Sequence, residues 1–108
     1  MDQVNEYLKR TRNVHTYPDG MAYDLPREHA ICKDGFHISI QASEYHYCSP
    51  RVNGADSYEA VELGFPNRED ILIMEYAEDP DDPTGTVYGF VPIEIVNQLI
   101  EKHGGIAN

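Results

Sequence analysis

The sequence of 108 residues predicts one α+β domain, an antiparallel sheet of four to five strands with a C-terminal helix packed on one face. Three observations lead to this fold class. Asp34-Gly35 separates two apolar segments, which is a strong signal for a β-hairpin. Residues 36–43 alternate apolar and polar side chains with the period of a half-buried strand. Residues 92–103 switch to the apolar spacing of an amphipathic helix.

The N-terminal quarter gives weaker signals. Residues 1–12 predict a short helix with Val4 and Leu8 one turn apart, and the few apolar side chains there predict weak docking and fraying. Residues 13–28 contain the turn sequence Pro18-Asp19-Gly20 and read as an extended loop that wraps the domain.

The middle of the chain predicts the sheet. After the hairpin at residues 29–43, residues 45–48 extend the sheet before Ser49-Pro50 interrupts it. Residues 58–65 predict another strand, with alternate apolar side chains directed inward. Residues 71–76 are apolar on both faces, as in a central strand covered on both sides.

The last third predicts a loop, a strand and a helix. Residues 78–85 are too rich in proline and acidic side chains for regular structure, and residues 86–91 predict a fifth strand. The helix starts at Pro92 and ends at Gly104-Gly105, because proline suits the first turn and glycine suits the end of a helix.

Composition and charge exclude several classes of function. Nineteen acidic and eight basic residues give a net charge of −11, so nucleic-acid binding through a basic surface and attraction to an anionic membrane surface are both excluded. No apolar run approaches the roughly 18–20 residues of a membrane-spanning helix. The first ten residues lack the apolar segment of a signal peptide, which predicts a cytoplasmic protein.

The negative charge is concentrated in the second half of the sequence. Residues 55–101 hold twelve acidic residues and one basic residue, Arg68. Such a run is a solvated face that keeps the protein soluble, or it is a surface that binds a basic partner. The candidate partner-binding acids are Glu59, Glu62, Glu69, Asp70, Glu75, Glu78, Asp79, Asp81 and Asp82.

Two tyrosines are further candidates for partner contact. Tyr45 and Tyr47 flank His46 near a predicted sheet edge. Tyrosine offers a large contact area and a hydroxyl group, which makes it frequent at interfaces. The alternative is a tyrosine pair at the rim of the sheet with one ring directed inward.

Enzymatic patterns are largely missing from the sequence, and no cofactor is expected. There is no glycine-rich phosphate loop and no nucleophile elbow. Cys32 and Cys48, with His29 and His46, suggest a tetrahedral zinc site, but residues three apart on a strand point to opposite faces. The favoured interpretation is two buried cysteines that act as small apolar side chains.

Three segments carry a resemblance to known proteins. Residues 30–36 (AICKDGF), 47–51 (YCSPR) and 87–94 (VYGFVPIE) resemble short accessory proteins encoded by bacteriophages. The resemblance implies a role like that of small acidic anti-CRISPR or anti-restriction inhibitors, several of which occupy nucleic-acid sites on a host effector. It assigns no role to an individual residue.

These observations predict a non-enzymatic inhibitor in the cytoplasm of a bacterial host. Its acidic, nucleic-acid-like surface would bind a basic nucleic-acid-binding protein, such as a CRISPR or restriction effector. The alternative is a phage structural or assembly module whose charge serves solubility only. A small hydrolase or metal enzyme is a third hypothesis, and an exposed sheet edge would allow a homodimer.

Overall fold

The computed structural model describes residues 2–108, which form two α-helices, a short 3-10 helix and six strands. In chain order these are α1 (Gln3–Arg10), β1 (Asn13–Thr16), β2 (Ala22–Leu25), β3 (Ala30–Ile31), β4 (His37–Gln41), β5 (Ala60–Gly64), the 3-10 helix (Met74–Tyr76), β6 (Val87–Pro92) and α2 (Ile93–Lys102). Neither α-helix in this part of the chain has the length and apolar character needed to cross a bilayer.

Strands β3, β4, β5 and β6 form an antiparallel sheet in that order, which confirms the predicted α+β class. Ile40 pairs with Leu63 and Val61 pairs with Val91, so alternate apolar side chains face one core. Helix α2 starts directly after β6 and contributes buried side chains to that core. The largest fully buried side chains are Tyr7, Tyr88, Phe36, Leu8, Ile38, Ile40, Leu63, Ile73, Leu99, Ile100, Val4 and Val61.

Helix α1 is docked more firmly than the sequence predicts. Val4, Tyr7 and Leu8 are at most 2% exposed and belong to the core. The Asn5 amide group donates to the Tyr58 carbonyl oxygen and accepts from the Tyr58 N–H. The prediction of weak docking was wrong because the buried area of Tyr7 and this polar contact add to the pair of aliphatic residues.

Residues 13–25 form a separate β-hairpin and not the predicted loop. His15 pairs with Tyr23, and the tight turn at residues 17–20 contains Gly20 at φ +89°, in agreement with the turn that the sequence indicates. Every residue of β1 is exposed. The sequence therefore lacks the alternation of apolar and polar residues from which a strand is predicted.

The predicted central strand at residues 71–76 was wrong. Ile73 is fully buried, whereas Ile71 is 82% exposed, and the segment forms turns and the 3-10 helix. The Asp70 side chain accepts from the Leu72 N–H, and the Asp70 carbonyl accepts from the Ile73 N–H. This aspartate turn satisfies the backbone locally and diverts the chain from the sheet.

The predicted strand at residues 45–48 was also wrong, because this segment bends across the sheet. The Phe90 N–H donates to the Tyr47 carbonyl oxygen, next to an irregularity in the pairing of β5 with β6. Phe90 has φ +51° and is 51% exposed, which is how a bulge redirects a side chain out of a strand.

Candidate protein-binding surface

Eight of the nine candidate acids lie at least partly exposed, and among residues 2–108 none of the eight has a cationic group within 4.0 Å. These eight are Glu59, Glu62, Glu69, Glu75, Glu78, Asp79, Asp81 and Asp82. The ion pairs of the described chain involve three other carboxylates, those of Asp24, Asp34 and Asp70. The exposed negative charge is therefore not neutralised by local bases.

Asp70 does not belong to this surface, which corrects the sequence-based assignment. The residue is 5% exposed, and its carboxylate lies 3.0 Å from Lys102 Nζ and 2.9 Å from His103 Nε2. Its charge takes part in contacts within the protein, so it is not available to a partner.

His103, at the C-terminal end of α2, lies between two carboxylates. Its Nδ1 is 2.6 Å from Asp34 Oδ2, its Nε2 is 2.9 Å from Asp70 Oδ2, and its ring stacks on Phe36 with centroids 4.0 Å apart. An ionised carboxylate only accepts hydrogen bonds, so each of these contacts is a hydrogen bond when the facing ring nitrogen carries a hydrogen. We call Asp34, Asp70 and His103 the carboxylate–histidine clamp.

The contacts of the clamp also help to lower the pKa values of its two carboxylates. Burial acts to raise the pKa of Asp70, but hydrogen bonds from the Leu72 N–H, His103 and Lys102 outweigh it, and the pKa of Asp70 is lowered from its usual value. The Phe36 N–H and His103 lower the pKa of Asp34. The clamp joins three parts of the chain that are distant in sequence, at residues 34, 70 and 103.

The loop at residues 78–85 is ordered by its own hydrogen bonds. The Asp79 N–H donates to Thr86 Oγ1, and the Asp79 carboxylate accepts from the Asp81 N–H. The Asp82 carboxylate lies against Gly85, where even a methyl group would collide with it. The loop therefore presents its acids in a defined conformation and is not a flexible tail.

Further acids surround this loop. The buried Tyr88 ring reaches toward the loop, and its hydroxyl group donates to the Pro83 carbonyl oxygen. Burial raises the pKa of Tyr88, and the charges of Glu69 and Asp82 raise it further. Glu75 lies on the 3-10 helix that contacts β6. We define the acidic end as Glu69, Glu75, Glu78, Asp79, Asp81 and Asp82.

Glu62 lies near the acidic end and Glu59 does not. The Glu78 N–H donates to the Val87 carbonyl oxygen, so residue 78 extends the sheet beyond β6. Glu62 and Glu78 point away from the core face, with their backbones roughly 12 Å apart by strand geometry. Glu59 precedes the other end of β5, about 17 Å along the strand from Gly64.

Exposed aromatic side chains lie on the same outer face as Glu62. Tyr45 is 58% exposed and Tyr47 is 45% exposed, and the Tyr47 N–H donates to the Glu62 carboxylate. Phe90 packs beside Tyr47 with ring centroids 5.9 Å apart. We call Tyr47 and Phe90 the aromatic patch. Sequence reasoning missed Phe90, because an apolar residue inside a strand gives no sign that a bulge exposes it.

The four residues of the zinc hypothesis do not converge. His29 Nδ1 lies 3.0 Å from His37 Nδ1, and His46 Nδ1 lies 2.7 Å from Ser43 Oγ. Across residues 2–108, no three side chains of histidine, cysteine, aspartate or glutamate are grouped to hold a metal ion. Cys32 and Cys48 are each 2% exposed and unbonded to each other, in agreement with buried apolar cysteines.

Ser43 and His46 form the one serine–histidine contact among the hydrogen bonds of residues 2–108, and it does not form a catalytic pair. Ser43 is 1% exposed, and its hydroxyl oxygen also accepts from the Tyr45 N–H. Burial lowers the pKa of His46. A substrate carbonyl could not reach this hydroxyl group, so the contact stabilises the bend at residues 43–46.

No family model, curated protein or solved structure matches the chain.

Proposed function

We propose that this protein is a non-enzymatic inhibitor that binds a basic, nucleic-acid-binding protein in place of its nucleic acid. The single observation that supports it most is the acidic end, where six carboxylates lie without local cations. The resemblance of residues 30–36, 47–51 and 87–94 to phage accessory proteins suggests a CRISPR or restriction effector as the partner.

The charge of the acidic end suits such a partner. A nucleic-acid duplex carries about one negative charge per 1.7 Å of its axis, and its binding proteins present rows of lysine and arginine. The ordered loop at residues 78–85 holds Glu78, Asp79, Asp81 and Asp82 within five consecutive positions. A basic groove would be steered to these charges, and the attraction would weaken as salt shortens the Debye length from about 10 Å at 0.1 M to about 3 Å at 1 M.

The aromatic patch gives the same surface a means of close contact. Exposed aromatic rings bury a large area at low cost in side-chain entropy, and they often dominate binding energy at interfaces. Tyr47 is held by its N–H bond to Glu62, and the Arg51 guanidinium lies 5.5 Å from its ring centroid. The surface thus combines a fixed aromatic contact with a charged border.

The test is competition between this protein and duplex DNA for purified CRISPR and restriction effectors, at several salt concentrations. The variant Glu78→Gln/Asp81→Asn removes two exposed charges whose carboxylates take no part in the hydrogen bonds of the loop. We expect it to bind about fivefold to tenfold more weakly. Glu94→Gln/Glu101→Gln on α2 makes the same charge change at residues outside the acidic end and should bind as the parent does.

The solubility-only alternative gives the opposite result. A phage assembly module that uses the aromatic patch would bind its partner equally well after the change at Glu78 and Asp81, and it would lose binding with Tyr47→Ala. Binding that ignores both salt and competing DNA would contradict the proposed mimicry. Catalytic turnover of any substrate by the purified protein would contradict a purely binding role.

A further inference from the structure

A recess of about 210 Å³ between α1, the hairpin base and the loop at residues 54–58 is basic, although the protein as a whole is acidic. Its lining includes Lys9, Arg12 and Arg27, against one acidic residue, Asp56. Its volume corresponds to roughly seven water molecules, enough for a small tetrahedral anion and part of a larger group. We propose that this recess binds the phosphoryl group of a small phosphate-bearing molecule.

Arg27 is the central group of the recess. The residue is 7% exposed, and among residues 2–108 no carboxylate lies within 4.0 Å of its guanidinium group. Nε and Nη2 donate to the Leu8 carbonyl oxygen at the end of α1, and Nη1 donates to the Ala42 carbonyl oxygen. These three bonds use three of its five N–H groups, so a buried positive charge keeps donor capacity without an anionic partner.

Lys9 adds to this charge, whereas the charge of Arg12 is paired with Asp24. Arg12 forms two hydrogen bonds to Asp24, and its guanidinium lies over Gly54, where a Cβ atom would be only 2.4 Å from Nη1. Burial lowers the pKa of Arg27 and Arg12 lowers it slightly further, while Tyr58 and Asp24 act in the opposite sense. Lys9 is exposed and forms no ion pair within residues 2–108. A bound dianion would relieve the repulsion between these like charges.

The acidic end does not cancel this attraction. Tyr58, in the lining of the recess, precedes one end of β5, whereas the loop at residues 78–85 adjoins the other end at Gly64 and Val87. The strand between them spans about 13 Å. That exceeds the Debye length of about 8 Å at physiological ionic strength, so salt screens most of the repulsion between the exposed acidic end and an anion that approaches the recess from solvent.

The test is calorimetric titration with inorganic phosphate at constant ionic strength, with chloride as the reference anion. Lys9→Gln should weaken phosphate binding about fivefold, because it removes one exposed charged donor. Asp56→Asn should strengthen binding, because it removes the one acid of the lining. Lys33→Gln and Glu101→Gln repeat these charge changes at exposed positions outside the lining and should leave the affinity unchanged.

Titrations with adenosine monophosphate and with adenosine show whether the phosphoryl group or the nucleoside is recognised. Binding of phosphate and of adenosine monophosphate, with none of adenosine, supports recognition of the phosphoryl group. Equal affinity for adenosine and its monophosphate would overturn it, as would equal phosphate affinity in the parent and Lys9→Gln. Absence of a saturable phosphate signal in the folded parent would overturn it as well. Arg27→Lys, checked for folding by circular dichroism, should lose phosphate binding, and retained affinity would count against the assignment.

Discussion

Asp70→Asn should destabilise the protein strongly although it replaces only one heavy atom. In the parent, the Asp70 carboxylate accepts hydrogen bonds from His103, Lys102 and the Leu72 N–H. Asparagine keeps one oxygen for the Leu72 N–H, but its amide group then faces the His103 ring, donor against donor. The variant therefore removes the charge-assisted part of the clamp while the shape of the side chain is conserved.

The magnitude follows from the burial of the partners. The side chains of Asp70 and His103 are 3% and 10% exposed, so their hydrogen bond is worth about 1.5–3 kcal/mol. Lys102 is 48% exposed, and its pair with Asp70 adds at most about 1 kcal/mol. We expect a loss of about 2–4 kcal/mol in the free energy of unfolding. For a domain of this size that lowers Tm by about 9–18 °C.

The effect should depend on pH in a defined direction. The pKa of Asp70 is lower in the folded protein than its usual value, so its stabilising contribution is complete above about pH 5 and declines as the pH falls through the two values. Urea unfolding of parent and variant at pH 7 and at pH 3.5 measures the cost of Asp70→Asn and how that cost depends on pH. The difference between parent and variant should shrink at pH 3.5.

Glu101→Gln, an exposed change of the same charge on α2, serves as the control and should cost less than about 0.5 kcal/mol. A cost below this value for Asp70→Asn at pH 7 would refute the reasoning about the clamp. An equal cost at both pH values would show that the charge of Asp70 is not responsible.

Three other results are expected. Burial raises the pKa of Cys32 to about 11 and also raises that of Cys48, so a thiol reagent at pH 8 should label neither cysteine until urea unfolds the protein. Tyr88→Phe removes the hydroxyl bond to the Pro83 carbonyl oxygen and should cost about 1 kcal/mol in urea unfolding, with faster amide exchange in the acidic loop. Ile40→Ala empties a fully buried position and should cost about 2–5 kcal/mol, and a change below 1 kcal/mol would contradict the core packing described above.

The parts of the fold that the sequence predicted are those with a regular burial pattern. Strand β5 buries alternate side chains, and helix α2 buries side chains at helical spacing. Asp34-Gly35 lies in the predicted turn between the paired strands β3 and β4. Residues 71–76 have no such burial pattern, and a short apolar run is compatible both with a strand and with turns that bury a single side chain. Ile73 is that side chain, and the hydrogen bonds of Asp70 select the turn.

The candidate surface was predicted in part. The excess of acids at residues 75–82 follows directly from composition, and the structure gives these acids an ordered loop. The sequence could not distinguish Asp70 from the neighbouring acids, because its partners Lys102 and His103 lie 32 and 33 positions away in the chain. The sequence also shows no sign of the recess around Arg27, since the recess forms where α1, the base of the hairpin and the loop after Gly54 meet.

The hairpin of β1 and β2 offers a practical attachment point. Residues 17–20 lie at its tip and are exposed, one strand length of about 13 Å from the base where Arg12 pairs with Asp24. An epitope or fluorophore-binding peptide inserted between Asp19 and Gly20 would lengthen a connection that buries nothing, and doubling such a loop costs only about 0.6 kcal/mol. A reporter placed there would follow the protein through purification and imaging with its remaining surfaces unobstructed.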